Sequence, residues 1–460
     1  MSIKLSRKHL FFRGSRREGW VLSRKKIFQR FLAASVLFLS LFGLGLNPQE
    51  QETWQVISLD LKQVSKPQLA SWGLDFLMEK EGRLYVVSSP QDRIRLAGAN
   101  LAYHPEPAFS GRPVAVPSSA AGGINGDYHS ADELKTDLRS LEAGHPGLAK
   151  VYDIGRSLEG RALYALKVSG NVGAAEPEAQ VLFLGGHHAR EWISVEVPFF
   201  LGKYLLDNYL ADSRVRHIVD HSEVWIVPLV NPDGLEYSIH VYRYWRKNRR
   251  DNGDGSFGVD LNRNYDYQWG YDNLGSSPEP DSAVYRGRSP FSEPEAAAVR
   301  DLFRGNNFQA LISYHSFSQT IYYPWGYSRR PVENAERMKA LAAGMSQRIQ
   351  EVAGKVYRYG QSSLVSYLTN GETTDWAFGL NGIPAYTIEL EPGSEQAGGF
   401  FNAETEILSI FNDNLPAALY LIEDCISRYR PPGWGEGPSG KERPSAAGDP
   451  GIRSTEKRGG

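Results

Sequence analysis

The sequence predicts an α/β fold built around one sheet, preceded by a smaller α+β unit, and three observations carry that prediction. Between about residues 127 and 428, short apolar runs alternate with helix-like segments, the pattern of helices covering a sheet. Over residues 52–105 the same alternation recurs on a smaller scale. The composition, 41% hydrophobic and 23% charged over 460 residues, is that of a globular chain and excludes collagen, coiled coil and wholesale disorder. No internal repeat marks a solenoid or propeller. A mean hydropathy of -0.41 excludes a polytopic membrane protein. The single cysteine, Cys425, excludes a disulfide scaffold and a cysteine-rich zinc module, so any metal must be held by histidine and carboxylate.

The elements follow in chain order. Residues 1–30 carry ten Lys or Arg and one acid, and Phe31 to Leu46 then runs for sixteen residues without a charge. That layout makes 1–48 a secretory signal, or, if it is not cleaved, a membrane anchor; the run is short of the ~20 residues a spanning helix needs. From residue 49 onward 41 basic residues face 52 acidic ones, a net charge of -11, which lacks the electrostatic footprint of a nucleic-acid binder. Residues 49–112 read as the small α+β domain, with WQVISLDL, RLYVVSS and NLAYHPE as strand-like runs and KPQLASWG and PQDRIRLAG as helix-like pieces. The Pro/Ser/Ala/Gly stretch 113–126 reads as a linker. At the other end 429–460 reads as a disordered tail, 13 of the last 30 residues being Gly or Pro.

Within 127–428, Ser130 and Glu133 form a capping box, Leu134, Leu138 and Leu141 line one helical face, and Gly144 is the expected stop. Strands are expected at Leu163–Val168, Val181–Leu184, Val224–Val230, Leu311–Tyr314 and Tyr386–Leu390. Helices are expected at Val195–Asn208, Glu293–Phe303 and Ala335–Val352.

Chemistry gathers at three of the strand ends. GGHHAREW, Gly185 to Trp192, leaves the strand Val181–Leu184 and sets His188 three residues before Glu191, so an imidazole and a carboxylate can face one point. Catalytic zinc takes three protein ligands and keeps one position open. His187 competes with His188 for the ligand role. His315 in LISYHSFSQ ends a second strand, and Glu389 in AYTIELEPG ends a third among apolar neighbours, where a carboxylate is costly unless paired or used as a tuned base. In open α/β sheets ligands collect at the carboxyl ends of the strands. Arg246 in YRYWRKNRR and Asn262-Arg263 in GVDLNRNYDYQWG offer groups suited to a carboxylate or an oxyanion, whereas Arg249 and Arg250 read as surface charge.

In these motifs and their order the region 127–428 resembles the zinc metallocarboxypeptidases of the carboxypeptidase A/B type, most of all bacterial carboxypeptidase T-like members. The resemblance implies a mixed, twisted central sheet flanked by helices. It implies a hydrolase that uses one Zn2+ to cleave the C-terminal peptide bond of peptides and proteins bearing a free C-terminal carboxylate. By the same resemblance His188, Glu191 and His315 are the zinc ligands, Glu389 the general base and Arg246 the oxyanion arginine. Arg190 is a substrate contact, Asn262 and Arg263 grip the terminal carboxylate, and Tyr367 closes over the substrate. Thr374 falls where the base of the side-chain pocket should be, and a threonine there selects neither aliphatic nor basic residues. Glu372 is either an attractor of Lys and Arg or a solvent-facing loop charge, so a mixed preference is expected, hydrophobic and, if Glu372 attracts them, basic. The small N-terminal domain would be a propeptide or a permanent domain.

The loop Asp251–Asp260 has the look of a calcium loop but lacks the closing glutamate, so it reads as a turn-rich acidic loop. The expected enzyme is a secreted monomer that meets a membrane only through 1–48 if that segment is retained. Two other functions fit parts of the pattern. A peptidoglycan-stem amidopeptidase should show a changed carboxylate clamp, and a catalytically silent binding module should have lost a ligand or the base.

Overall fold

The computed structural model describes residues 55–106, 124–174, 176–333, 335–394 and 399–430. The segment read as signal or anchor, linker residues 113–123 and tail residues 431–460 lie outside them. The described chain divides into two compact units, 55–106 and, apart from residues 281–283, 124–430.

The first unit runs β1 (Gln55–Asp60), α1 (Lys66–Ser71), β2 (Asp75–Lys80), β3 (Arg83–Ser88), α2 (Pro90–Gly98) and β4 (Tyr103–Pro105). Its four strands pair in the order β2-β3-β1-β4, and Ile57, Leu59, Leu69, Leu84, Val86 and Leu96 form its core. Helix α2 starts where Ser89 and Asp92 cap each other reciprocally.

The second unit begins with α3 (Ala131–Gly144), whose Ser130–Glu133 capping box forms as expected and whose buried face is Leu134, Leu138 and Leu141. The helix runs through Gly144 and is capped by His145. There follow β5 (Ala149–Arg156), β6 (Ala162–Val168), β7 (Ala179–Leu184), α4 (Ile193–Asp207), α5 (Ser213–Asp220), β8 (Ser222–Val227) and α6 (Pro232–His240). A long excursion containing one short 3-10 turn, Leu261–Arg263, leads to α7 (Pro294–Arg304), β9 (Phe308–Ser316), β10 (Thr320–Tyr323) and α8 (Glu336–Ala353). The chain closes with β11 (Arg358–Gln361), α9 (Ser362–Val365), α10 (Thr373–Asn381), β12 (Ala385–Leu390) and α11 (Ile407–Arg428).

One eight-stranded sheet takes the order β11-β10-β12-β9-β7-β8-β6-β5. Its centre, β12-β9-β7-β8, is parallel, and antiparallel pairs flank it, so the sheet is mixed. Alternate residues of β7 serve opposite faces. Val181 and Phe183 pack with α3, α4, α8 and α11, while Leu182 and Leu184 pack with α7 and α10. Because the central strands are parallel, β7, β9 and β12 all end at the same edge. Among the described residues no helix is long and apolar enough to cross a membrane.

Candidate metal centre and substrate cleft

The turn after β7 owes its shape to its two glycines. A Cβ on Gly185 would collide with the carbonyl of Ser194, and Gly186 takes φ 62°, a left-handed conformation that costs a side-chain-bearing residue energy. The turn is then fixed by its own bonds: Ala189 N donates to Arg246 O at 2.9 Å, Glu191 N to His188 O at 3.1 Å and Ser194 Oγ to Glu191 O at 2.6 Å. His188 and Glu191 thereby face inward, both buried.

His315 arrives from the adjacent strand β9. Its Nδ1 lies 3.1 Å from His188 Nδ1 and 3.0 Å from Glu191 Oε2, and His188 Nδ1 lies 2.8 Å from Glu191 Oε1. Two imidazole nitrogens and a carboxylate thus converge within 4.8 Å of one another, in the His/His/carboxylate set that zinc takes when one position stays open. This is the group among the described residues that could hold a metal ion. Burial opposes charge on Glu191, but His188 and His315 outweigh it and hold its carboxyl well below the ordinary range, leaving the carboxylate ready to bind a cation.

His187 is not in this group. Its Nε2 lies 2.9 Å from Tyr265 Oη and its Nδ1 3.3 Å from Ser313 Oγ, and complete burial, with His315 and His188 adding repulsion, holds its pKa well below 6.5. It is a neutral core histidine.

Asp260, which the sequence offered only as the end of an acidic loop, is the joint of the site. Its Oδ1 lies 3.2 Å from His188 Nε2 and accepts from Asn262 N at 3.0 Å, and its Oδ2 accepts from Arg246 Nε and Nη2 at 3.1 and 2.9 Å. Burial opposes its charge, but Arg246 and Arg263 outweigh it and hold the carboxyl well below the ordinary range. One carboxylate therefore orients His188 and an arginine whose Nη1 stands 3.9 Å from Glu191 Oε1. Only a structure reveals such a convergence, since Asp260 carries no spacing signal of its own.

Glu389 lies on β12 directly opposite His315 in the parallel ladder. It is partly exposed, and its carboxyl is pushed well above the ordinary range, first by desolvation and then by Glu191, against the pull of Arg246 and Arg190. Arg190 is buried, with its guanidinium carbon 4.1 Å from the Phe400 ring centroid, and Phe317 meets the same ring at 4.8 Å.

On the other flank Asn262 and Arg263 occupy the 3-10 turn that Asp260 caps. Asn262 Nδ2 lies 3.5 Å from His315 Nε2, and Asn262 Oδ1 accepts from Thr373 N and Oγ1 at 2.9 and 2.8 Å. Arg263 is buried and spends two donors on backbone carbonyls, Nε on Gly275 O at 3.1 Å and Nη1 on Asn262 O at 2.7 Å. Thr374 is buried in the first turn of α10, where its Oγ1 donates to Glu372 Oε1 at 3.1 Å. Glu372 is not a solvent-facing loop charge: it is 5% exposed, also accepts from Thr369 Oγ1 at 2.7 Å, and burial pushes its carboxyl up. Tyr367 stands apart, 48% exposed between α9 and α10.

Arg249 and Arg250, read as surface charge, are half-buried instead. Arg249 stacks 3.5 Å from the Tyr237 ring centroid, and Arg250 pairs with the buried Glu293 at 3.0 Å. The calcium-like loop uses its side chains on itself. Asp251 Oδ1 accepts from Gly253 N at 2.8 Å and Asp254 Oδ1 from Ser256 N at 2.9 Å.

A family model described as zinc carboxypeptidase matches residues 134–417. Carboxypeptidase B of Astacus astacus is 36% identical over 288 residues, 61% of this chain and 91% of that protein. A zinc carboxypeptidase of Saccharothrix mutabilis subsp. capreolus is 31% identical over 388 residues, 79% of this chain and 87% of its own length. Among solved structures, thrombin activatable fibrinolysis inhibitor superposes with a TM-score of 0.67 at 25% identity, covering 82% of this chain and all, 100%, of that one. The carboxypeptidase A of Helicoverpa armigera gives 0.68 at 24% identity, covering 82% and 98%, a likeness of fold.

Proposed function

The chain belongs to the zinc carboxypeptidase family, and on that premise we propose a division of labour among its residues and a substrate preference. It is a zinc metallocarboxypeptidase, a hydrolase acting as an exopeptidase on peptides. In our reading His188, Glu191 and His315 hold one Zn2+. When bound, the ion supplies polarisation of the scissile carbonyl and a lowered pKa for a water.

Glu389 takes that water's proton and returns it to the leaving amine. A raised carboxyl pKa makes Glu389 the stronger base and lets it hold the proton until the amine leaves, and Arg246 and Arg190 work against the upward push of desolvation and Glu191. Arg246, braced by Asp260, donates to the oxygen that gains charge. Asn262 and Arg263 grip the terminal carboxylate, Tyr367 closes over it, and Arg190 meets residues upstream of the scissile bond. The observation that carries this reading is the meeting at one sheet edge of the ligand triad, the carboxylate of Glu389 and the arginine braced by Asp260.

The pocket around Thr374 and Glu372 supports a mixed preference. An apolar C-terminal side chain meets Glu372 with its burial-favoured proton on, and a Lys or Arg side chain compensates the buried charge with the proton off. We further read 1–48 as an export signal, 49–112 as a propeptide and the working enzyme as a secreted monomer.

The test is digestion of peptides ending in Phe, Leu, Lys or Arg, each as free acid and as amide, followed by mass spectrometry. Stepwise release from the free acids alone is expected. It should be abolished by a zinc chelator and lowered about 10²- to 10⁴-fold in kcat by Glu389→Gln with zinc retained. Equal release from the amides, or unchanged turnover in Glu389→Gln, refutes the assignment.

A further inference from the structure

Arg246 and the pair Asn262-Arg263 come to the site on two separate arms of the excursion between α6 and α7, which holds little regular structure to fix one arm against the other. The sheet places Glu389 and His315, whereas the excursion lies in the chain between strands β8 and β9. Glu293, the residue before α7, touches both arms. It is 1% exposed, and its Oε2 accepts from Asn248 Nδ2 at 2.7 Å and from Arg250 Nε at 3.0 Å, while its Oε1 accepts from Ser292 Oγ at 2.8 Å. Its backbone N donates to Asn264 Oδ1 at 3.1 Å. Asn248 stands two residues after Arg246 and Asn264 directly after Arg263, and both are fully buried.

Position and chemistry both set this residue apart. Glu293 caps α7, a place that favours Ser, Thr, Asp or Asn because their side chains reach the helix's own first amides. Its carboxylate makes no such bond and turns to the excursion instead. A buried carboxylate is costly unless its oxygens are paired, and here both are. Through Asn248 the grip extends to the neighbour of Asp260: Asn248 N donates to Val259 O at 3.0 Å, and Val259 N donates to Asn248 Oδ1 at 2.8 Å. Asn264 is held in turn, its O accepting from Phe291 N at 2.6 Å and its Nδ2 donating to Arg286 O at 2.8 Å. One acid therefore links the segment of Arg246 to the segment of Asn262 and Arg263.

We propose that Glu293 is a positioning residue: it locks the arm bearing Arg246 to the arm bearing Asn262 and Arg263, and so sets the spacing between the oxyanion donor and the group that grips the terminal carboxylate. That spacing decides how much chain fits between the scissile bond and the end of the substrate. The inference rests on the proposed roles of Arg246, Asn262 and Arg263 for its function and on hydrogen bonds alone for the lock.

Two readouts on the zinc-loaded full chain test it. Glu293→Gln keeps the size of the side chain and removes its charge. In hydrogen–deuterium exchange the variant should exchange faster over 247–250 and 259–264, and unchanged over β7 and β9. In kinetics on a peptide ending in Phe as free acid, kcat should fall about tenfold through Arg246 and KM rise about tenfold through the clamp, each the size of one lost charge-assisted hydrogen bond. Zinc content should stay the same. Glu293→Asp, which keeps the charge one methylene short, should lie between, and it carries the test should the first variant fold poorly. Unchanged exchange over the two segments in a folded variant overturns the lock. So does a lower kcat at unchanged KM, the mark of a smaller folded fraction and a merely structural role, and failure of both variants to fold counts the same way. Failure of the wild type to cleave the peptide overturns the peptidase reading instead, and the exchange result still decides the lock.

Discussion

His129 is the group whose replacement has the most readable consequence for stability. It precedes α3, with its ring between two carboxylates: Nδ1 lies 2.7 Å from Glu196 Oε2 and Nε2 lies 3.2 Å from Asp137 Oδ2. Its side chain is 10% exposed and that of Glu196 1%. Burial opposes the charged ring, but Glu196 first and Asp137 second outweigh it and push the pKa from 6.5 up to about 9. A rise of that size corresponds to about 3 kcal/mol of stabilisation as an upper figure. The folded pKa is raised, so the contribution is complete below about pH 6.5 and is lost as pH climbs through about 9. His129→Gln removes the cation and leaves Glu196 buried beside an amide. Thermal unfolding of the zinc-loaded chain at pH 6 should place the variant about 4–8 °C below wild type, and at pH 10 the gap should shrink to about 2 °C or less. A gap of equal size at both pH values refutes the reasoning, because it means that packing against Phe199, 4.5 Å away between ring centroids, and not the charge, is what the ring contributes.

Two further outcomes follow from the site. Asp260→Asn should weaken zinc binding about 10- to 100-fold in competition with a chelator, since it loosens the orientation of His188, and should lower kcat further through Arg246. Glu372→Gln should lower kcat/KM for C-terminal Lys and Arg about tenfold relative to Phe and Leu, read from competition between peptides in one digest.

The sheet was legible where strands are buried on both faces, because a continuous apolar run needs no periodicity to be noticed: β6, β7, β8, β9 and β12 lie within a few residues of expectation. The sheet's outer strands were harder. β5 alternates buried with exposed residues and includes Asp153 and Arg156, and β10 and β11 are four residues each, too short to carry a pattern. The convergence of His188, Glu191 and His315 could be anticipated because His188 and Glu191 share a turn and His315 ends a strand. Asp260, Glu293 and His129 could not, because each gets its meaning from partners far off in the chain: His188 for Asp260, Asn248 for Glu293, Glu196 for His129. Arg249 and Arg250 sit in a basic run that looks solvated, and only the rings of Tyr237 and Trp245 and the carboxylate of Glu293 show otherwise.

The pairing of Glu389 with His315 across β12 and β9 bears on how such a molecule can change over evolutionary time. Their separation is set by ladder register, and a slip of β12 by one residue would turn Glu389 to the face of the sheet opposite His315. No insertion in a loop can retune that distance by small steps. Arg246, Asn262 and Arg263 ride instead on the excursion between α6 and α7, which holds little regular structure and is fastened by single side chains such as Asn248, Asn264 and Glu293. Lineages built on this plan should therefore exchange what they recognise by remodelling that excursion while the Glu389–His315 pairing stays fixed, and a laboratory graft of one relative's excursion onto another's sheet is the corresponding route to altered selectivity.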